Sequence, residues 1–249
     1  MKVEHTVIQM QGGRDYMEDT YSVNDGANQY FFGGVYDGHM GSFAANFAAL
    51  KVPEVYLKLI ASGGNPTDSF VTAYRVVSDN IVERYRDVGA CAVNFYASNR
   101  RLFTANAGDC ELLHFHNGWA TKLTQKHRVS EPSENKRLQR HRAMIVGNRI
   151  VTDVGASLVS RSLGDAEFRA AGVIDTPYVS GVPLNAGDMV LAATDGLFDR
   201  FSEEEIVAVV IGGGSCDAAA RVFRVALADM VGSREPENVT VLLAKFLEL

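Results

Sequence analysis

The stretch YFFGGVYDGHMG, residues 30–41, decides how this chain is read. From Tyr30 to Tyr36 it is aromatic, β-branched or glycine without a charge, which reads as a strand buried on both faces. It stops on Asp37, with Gly38 and His39 behind it. MVLAATDG, residues 189–196, repeats the arrangement and ends in Asp195 and Gly196. An Asp-Gly after a strand is first of all a turn. Two such tips in one chain, joined by acids in other loops, support a second reading. Strand ends are rigid mounts, and carboxylates gathered at one edge repel unless a cation lies between them. Hard divalent ions such as Mg²⁺ or Mn²⁺ take oxygen ligands and would relieve that repulsion.

Other elements follow from period and caps. Residues 3–10 read as a strand. Ser42 is placed to cap a helix bearing Phe43, Phe47 and Leu50, which Pro53 should end or kink. Asn65-Pro66 opens a helix with Phe70, Tyr74, Val77, Ile81 and Tyr85 on one face. From Gly89 to Leu123, short apolar runs between turn residues read as an antiparallel meander, with Asp109 in one of its hairpin turns. Residues 126–142 are polar and run into a short helix; strands are expected near Met144, Ile150, 157–161 and 179–183. Ser202 and Glu205 form a capping box, residues 212–214 read as a glycine linker, and Ala219, Val222, Phe223, Ala226, Leu227 and Met230 share a helical face. NVTVLLAKF closes the series as a strand. Strands outnumber helices, and the helices come in an early and a late pair. An α+β fold of four layers, α-β-β-α, with two stacked antiparallel sheets each backed by a helix pair, covers every apolar face.

Composition narrows the function. The chain has 249 residues, 47% of them apolar, and no linker long enough to divide it, so a single domain over residues 1–249 is expected. A net charge of −6 without a basic run argues against a nucleic-acid partner. Any site for an anion must then be built locally. Cys91, Cys110 and Cys216 show no pairing motif and fit a reducing compartment. No leader and no membrane-length apolar run is apparent. The expectation is a cytoplasmic monomer without membrane attachment.

RDYMED, VYDGHMG, ANAGDC, LTQKH, VSRSLGD, LAATDGLFD and ENVTVLL occur in this order from about residue 5 onward. Together they resemble the metal-dependent serine/threonine protein phosphatases of type 2C. The resemblance implies that Asp37, Gly38, Asp195 and Glu237 hold two Mg²⁺ or Mn²⁺ ions, Gly38 through its carbonyl. It implies that Glu18 and Asp19 hold metal-bound waters, that Arg14 grips the substrate phosphate, and that His39 is the general acid. The implied reaction is hydrolysis of phosphoserine and phosphothreonine in a phosphoprotein by a hydroxide bridging the two ions.

Several positions depart from the family pattern. Lys126 stands where an acid is usual, so a third metal site is expected to be weak or absent. Glu237 replaces Asp, and Met40 replaces a common glycine. The segment between RSLGD and TDG is short, which reduces the flap beside the site. These departures keep an alternative open: a pseudophosphatase that retains the fold as a binding scaffold.

Overall fold

The computed structural model of the chain describes residues 1–27, 29–228 and 237–249. Strands β1 (Lys2–Met10), β2 (Thr20–Asp25) and β3 (Tyr30–His39) precede helices α1 (Phe43–Ala61) and α2 (Pro66–Arg84). Strands β4 (Gly89–Ser98), β5 (Arg101–Ala107), β6 (Glu111–His116) and β7 (Trp119–Lys122) follow. Helix α3 (Pro132–Arg140) leads to the short strands β8 (Ile145–Val146), β9 (Arg149–Thr152), β10 (Gly155–Ser157) and β11 (Leu163–Gly164) and to one turn of helix, α4 (Ala166–Arg169). Then come β12 (Tyr178–Pro183), β13 (Met189–Ala193), α5 (Asp195–Phe198), α6 (Glu203–Gly213), α7 (Cys216–Ala228) and β14 (Val239–Glu248).

Two antiparallel sheets result. One runs β12-β5-β4-β3-β2 with β11 added on β4, and the other runs β1-β14-β13-β6-β7. Alternation along β3 shows how the layers are built. Phe31 and Val35 face the second sheet, where they join Phe95, Leu112, Val190 and Leu242. Phe32 and Tyr36 face the other way and meet Tyr56, Phe70 and Tyr74 of α1 and α2. On the far side, Ile206, Phe223 and Leu227 of α6 and α7 cover Ile8, Leu191 and Leu243. The four-layer expectation is therefore met, because strands apolar on both faces need a cover on each.

Local expectations divide. Asn65 accepts from the backbone N–H of Thr67 and Asp68, and Ser202 with Glu205 forms the full capping box. Ser42 makes no side-chain cap, and α1 runs through Pro53. A helix-interior proline costs about 3 kcal/mol, which the packing of Val52, Pro53 and Tyr56 on the sheet outweighs. The buried face of α1 is Ala44, Ala45, Ala48, Val52 and Tyr56, whereas Leu50 is exposed. Gly212 and Gly213 belong to α6, and the helix ends at Gly214 in the left-handed region. Val222 is exposed, and Met230 lies outside the described residues. The meander is split: β4 and β5 pair in one sheet and β6 and β7 in the other. The break at Gly108-Asp109 is thus a crossing between sheets and not a hairpin turn.

A small lobe of α3 and the β8–β10 hairpins packs around Val129, Leu138, Ile150 and Val173. Its anchor is Glu134, which takes Arg161 Nη2 at 2.6 Å, Ser160 Oγ at 2.7 Å and Arg137 Nη2 at 2.8 Å. Burial alone would raise the Glu134 carboxyl, but Arg161, Ser160 and Arg137 hold it down at about 2. A carboxylate held below its unfolded value stabilises the fold above that unfolded value and loses this contribution as pH falls through the folded one. Glu134→Gln is expected to cost about 2–3 kcal/mol at pH 7. Urea unfolding should show this difference narrowing as pH falls from about 4.5 toward 2. An unchanged gap over that range would remove Glu134 from the acid response.

Candidate metal and phosphate site

The two strand tips and the sheet crossing converge. Asp37 near the end of β3, Asp109 in the crossing and Asp195 at the start of α5 bring carboxylate oxygens within 4.8 Å of one another. They form the floor of a cleft of about 350 Å³ that Arg14, His39 and Arg128 also line. The glycines behind the acids allow close backbone approach. A Cβ on Gly38 would lie 2.7 Å from the Glu18 carbonyl oxygen, and one on Gly196 would lie 2.2 Å from the Asn238 carbonyl oxygen. Gly196→Ala is therefore expected to destabilise the fold by about 3 kcal/mol and to displace Asp195. Thermal unfolding within about 1 °C of the parent, a difference of roughly 0.3–0.5 kcal/mol, would refute this.

The cluster carries more negative charge than its surroundings neutralise. Desolvation, then Asp19, Asp195 and Asp109, push the Asp37 carboxyl well above the usual carboxylate range. Desolvation followed by Asp109 raises Asp195 to about 7. Desolvation also raises Asp19 to about 6, although Thr194 donates a hydroxyl to it at 2.8 Å. All-oxygen donors with an excess of negative charge fit hard divalent cations.

The sequence-derived residues fall into place unevenly. Glu18 accepts the Gly41 N–H at 2.5 Å, and its own N–H donates to Asn238, so it ties the turn after His39 to the final strand. Glu237 stands outside the tight cluster and pairs with Arg14 Nη2 at 2.5 Å. Lys126 does not reach Asp195; its ammonium pairs with Glu111 at 2.9 Å. Met40 adopts φ +59°, the left-handed region where glycine is at ease. The short segment after RSLGD still contributes Glu167 and Phe168 to the cleft, and Val154 and Leu158 from around β10 line the rim.

Three residues were not anticipated in the site. Asp109 looked like a turn, and only the crossing between sheets brings it to the cluster. Asp165 binds His39, with Nε2 at 2.8 and 2.9 Å from its two oxygens. Burial alone would lower the His39 imidazole, but Asp165 outweighs it and leaves the ring raised above its ordinary value. Buried Asp165 also accepts the Ser162 hydroxyl. Arg128 donates from Nε to Asp109 at 2.7 Å and from Nη2 to Asp195 at 2.9 Å. ANAGDC and VSRSLGD already held Asp109 and Asp165 as acids beside glycine; nothing in the period of residues 126–131 marks Arg128.

A two-sheet sandwich with a carboxylate centre at one edge and basic groups around it defines a protein suited to binding divalent cations and an anionic ligand. The family model of protein phosphatase 2C matches residues 3–231, and the chain belongs to that family. It is 32% identical over 213 residues to probable protein phosphatase 2C 2 of Arabidopsis thaliana, covering 82% of this chain and 56% of that protein. It is 31% identical to probable protein phosphatase 2C 74 of Oryza sativa subsp. japonica, covering 97% of this chain and 66% of the relative. The chain spans about half the length of several curated relatives it matches. Serine-threonine phosphatase 2C from Toxoplasma gondii shares the fold, with a TM-score of 0.83 at 17% identity over 98% of this chain and 95% of that one. A C. elegans sex determining protein gives 0.84 at 22% identity over 100% of this chain and 65% of that one.

Proposed function

We propose that this chain is a protein serine/threonine phosphatase that cleaves phosphoserine and phosphothreonine esters in phosphoproteins with divalent ions held by Asp37, Asp109 and Asp195. The observation that carries the reading is the His39–Asp165 pair in the cleft that those carboxylates floor. Bound Mg²⁺ or Mn²⁺ would supply Lewis acidity and activate water. Arg14, charged and half-exposed at the mouth, offers a fork that matches phosphate oxygens once it releases Glu237. His39 is placed to give a proton to the departing serine or threonine oxygen, and Asp165 fixes its ring and favours its charged form. Asp19, held by the Thr194 hydroxyl, and Glu18, which accepts the Gly41 N–H, line the same cleft. Buried Cys91 and Cys110 need no catalytic role, since burial pushes their thiols up and away from the reactive thiolate.

Hydrolysis of a phosphothreonine peptide, measured as phosphate release, is expected with added Mn²⁺ and is expected to stop with chelator. Turnover that persists in chelator would overturn the reading. The scaffold alternative draws on one observation: Arg14 and Glu237 engage each other. It predicts phosphopeptide binding without phosphate release at saturating Mn²⁺, which the same assay read alongside a binding measurement distinguishes.

A further inference from the structure

The carboxylate centre contains a cation that belongs to the chain. Arg128 donates from one edge of its guanidinium to two different acids, Asp109 at 2.7 Å and Asp195 at 2.9 Å. It uses one oxygen of each carboxylate, Oδ2 in both cases. The backbone on either side is pinned. The His127 N–H donates to the Gly108 carbonyl at 3.0 Å, which sets Arg128 beside Asp109, and the Val129 N–H donates to the Leu158 carbonyl at 2.8 Å. A bridge between Arg128 and Val159 holds the residue itself. The same stretch carries Lys122 and Lys126, both on buried Glu111, at 2.6 and 2.9 Å. Lys122 and Lys126 thus neutralise the first residue of β6, and Arg128 is the cation of this stretch that lines the cleft.

We propose that Arg128 is a fixed internal cation of this centre, which holds Asp109 and Asp195 together before any ion binds and competes with divalent ions for one oxygen of each. This rests on reading Asp37, Asp109 and Asp195 as a cation site. Arg128 is a positioning residue and touches no reacting atom. Lys126, the other cation of this loop, is engaged on Glu111 and forms no ion pair with Asp109 or Asp195. Two consequences follow from charge alone. Without Arg128 the ion-free cluster loses a counter-charge bonded to two of its three carboxylates, so the ion-free fold weakens. The freed oxygens also become available to metal, so ion binding strengthens or gains an additional ion.

The test compares the full chain with Arg128→Gln and Arg128→Lys, stripped with chelator and then titrated with Mn²⁺, with no substrate present. Thermal unfolding and Mn²⁺ bound per chain, by equilibrium dialysis and elemental analysis, are read together. Arg128→Gln is expected to unfold well below the parent in chelator, to recover most of the deficit as Mn²⁺ is added, and to bind Mn²⁺ about tenfold more tightly or with one more ion. Arg128→Lys, which keeps the charge but cannot span two carboxylates, should fall between. A Gln variant that folds only with Mn²⁺ supports the proposal. If the Gln variant folds under neither condition, the Lys variant decides by the same criterion. A stability deficit independent of Mn²⁺, with unchanged Mn²⁺ binding, would overturn it and leave Arg128 a packing residue. Because the readouts need no turnover, a chain that binds Mn²⁺ as described but hydrolyses nothing would refute the phosphatase reading and leave this one standing.

Discussion

Asp37→Asn is expected to remove phosphatase turnover and at the same time make the ion-free chain harder to unfold. The two effects share one cause. In the absence of a cation, Asp37 lies at the cleft floor with Asp19, Asp195 and Asp109 around it, and desolvation and those neighbours raise its proton affinity far above that of a free carboxylate. A carboxylate that binds its proton more strongly in the fold than in the unfolded chain costs stability once the pH exceeds its unfolded value. At neutral pH the ion-free fold therefore carries that cost, and an amide of the same shape does not. In chelator, Asp37→Asn should raise the unfolding midpoint by about 3 °C. With Mn²⁺ the order should reverse, because the parent gains the binding energy of its ions and the variant has lost a charged ligand. Activity at saturating Mn²⁺ should fall by about 10²–10³-fold or more, the scale of losing one preorganised charge at a reacting centre. Equal midpoints under both conditions, or activity within a few-fold of the parent, would show that Asp37 does not hold the ions.

The two residues that opened the reading, Asp37 and Asp195, do meet, and physical reasons explain why they were legible. Each ends an uncharged strand buried on both faces, so the break in polarity is visible in one dimension. The layer order was legible for the same reason: β3 alternates two apolar faces, and each needs a cover. Asp109 was hidden because its role depends on which sheet the next strand joins. The hairpin reading and the crossing reading have the same local sequence, and only the pairing of β6 with β13 separates them. Arg128 and Lys126 lie two residues apart in a polar loop with no period to assign their directions. One reaches Asp109 and Asp195 and the other Glu111, a distinction set by the backbone bonds to Gly108 and Leu158. Asp165 sits in VSRSLGD, more than a hundred residues from His39, and its partnership is a product of packing β11 onto β4. Helix ends were legible where a side chain makes the cap, at Asn65 and Ser202, and misleading at Ser42, where it makes none.

The His39–Asp165 pair yields the second large expected effect, and the leaving group is what exposes it. A serine or threonine alkoxide is a poor leaving group and must take a proton as the P–O bond breaks, whereas p-nitrophenolate departs without help. If His39 delivers that proton, His39→Ala should lower kcat on a phosphothreonine peptide by about 10²–10⁴-fold and change p-nitrophenyl phosphate hydrolysis far less. Asp165 acts through the ring. Its two oxygens lie at 2.8 and 2.9 Å from Nε2, and Ser162 donates to it from behind. Asp165→Asn keeps the shape but removes the charge that favours imidazolium, so its loss should show the same preference for the alkyl ester at a smaller scale, about tenfold. A variant that merely loosened the site would slow both substrates alike and would raise KM along with lowering kcat. The ratio of the two activities is therefore the measurement that matters. A ratio unchanged in both variants would take His39 out of the acid role and leave the pair as a strut between β3 and the α4 turn.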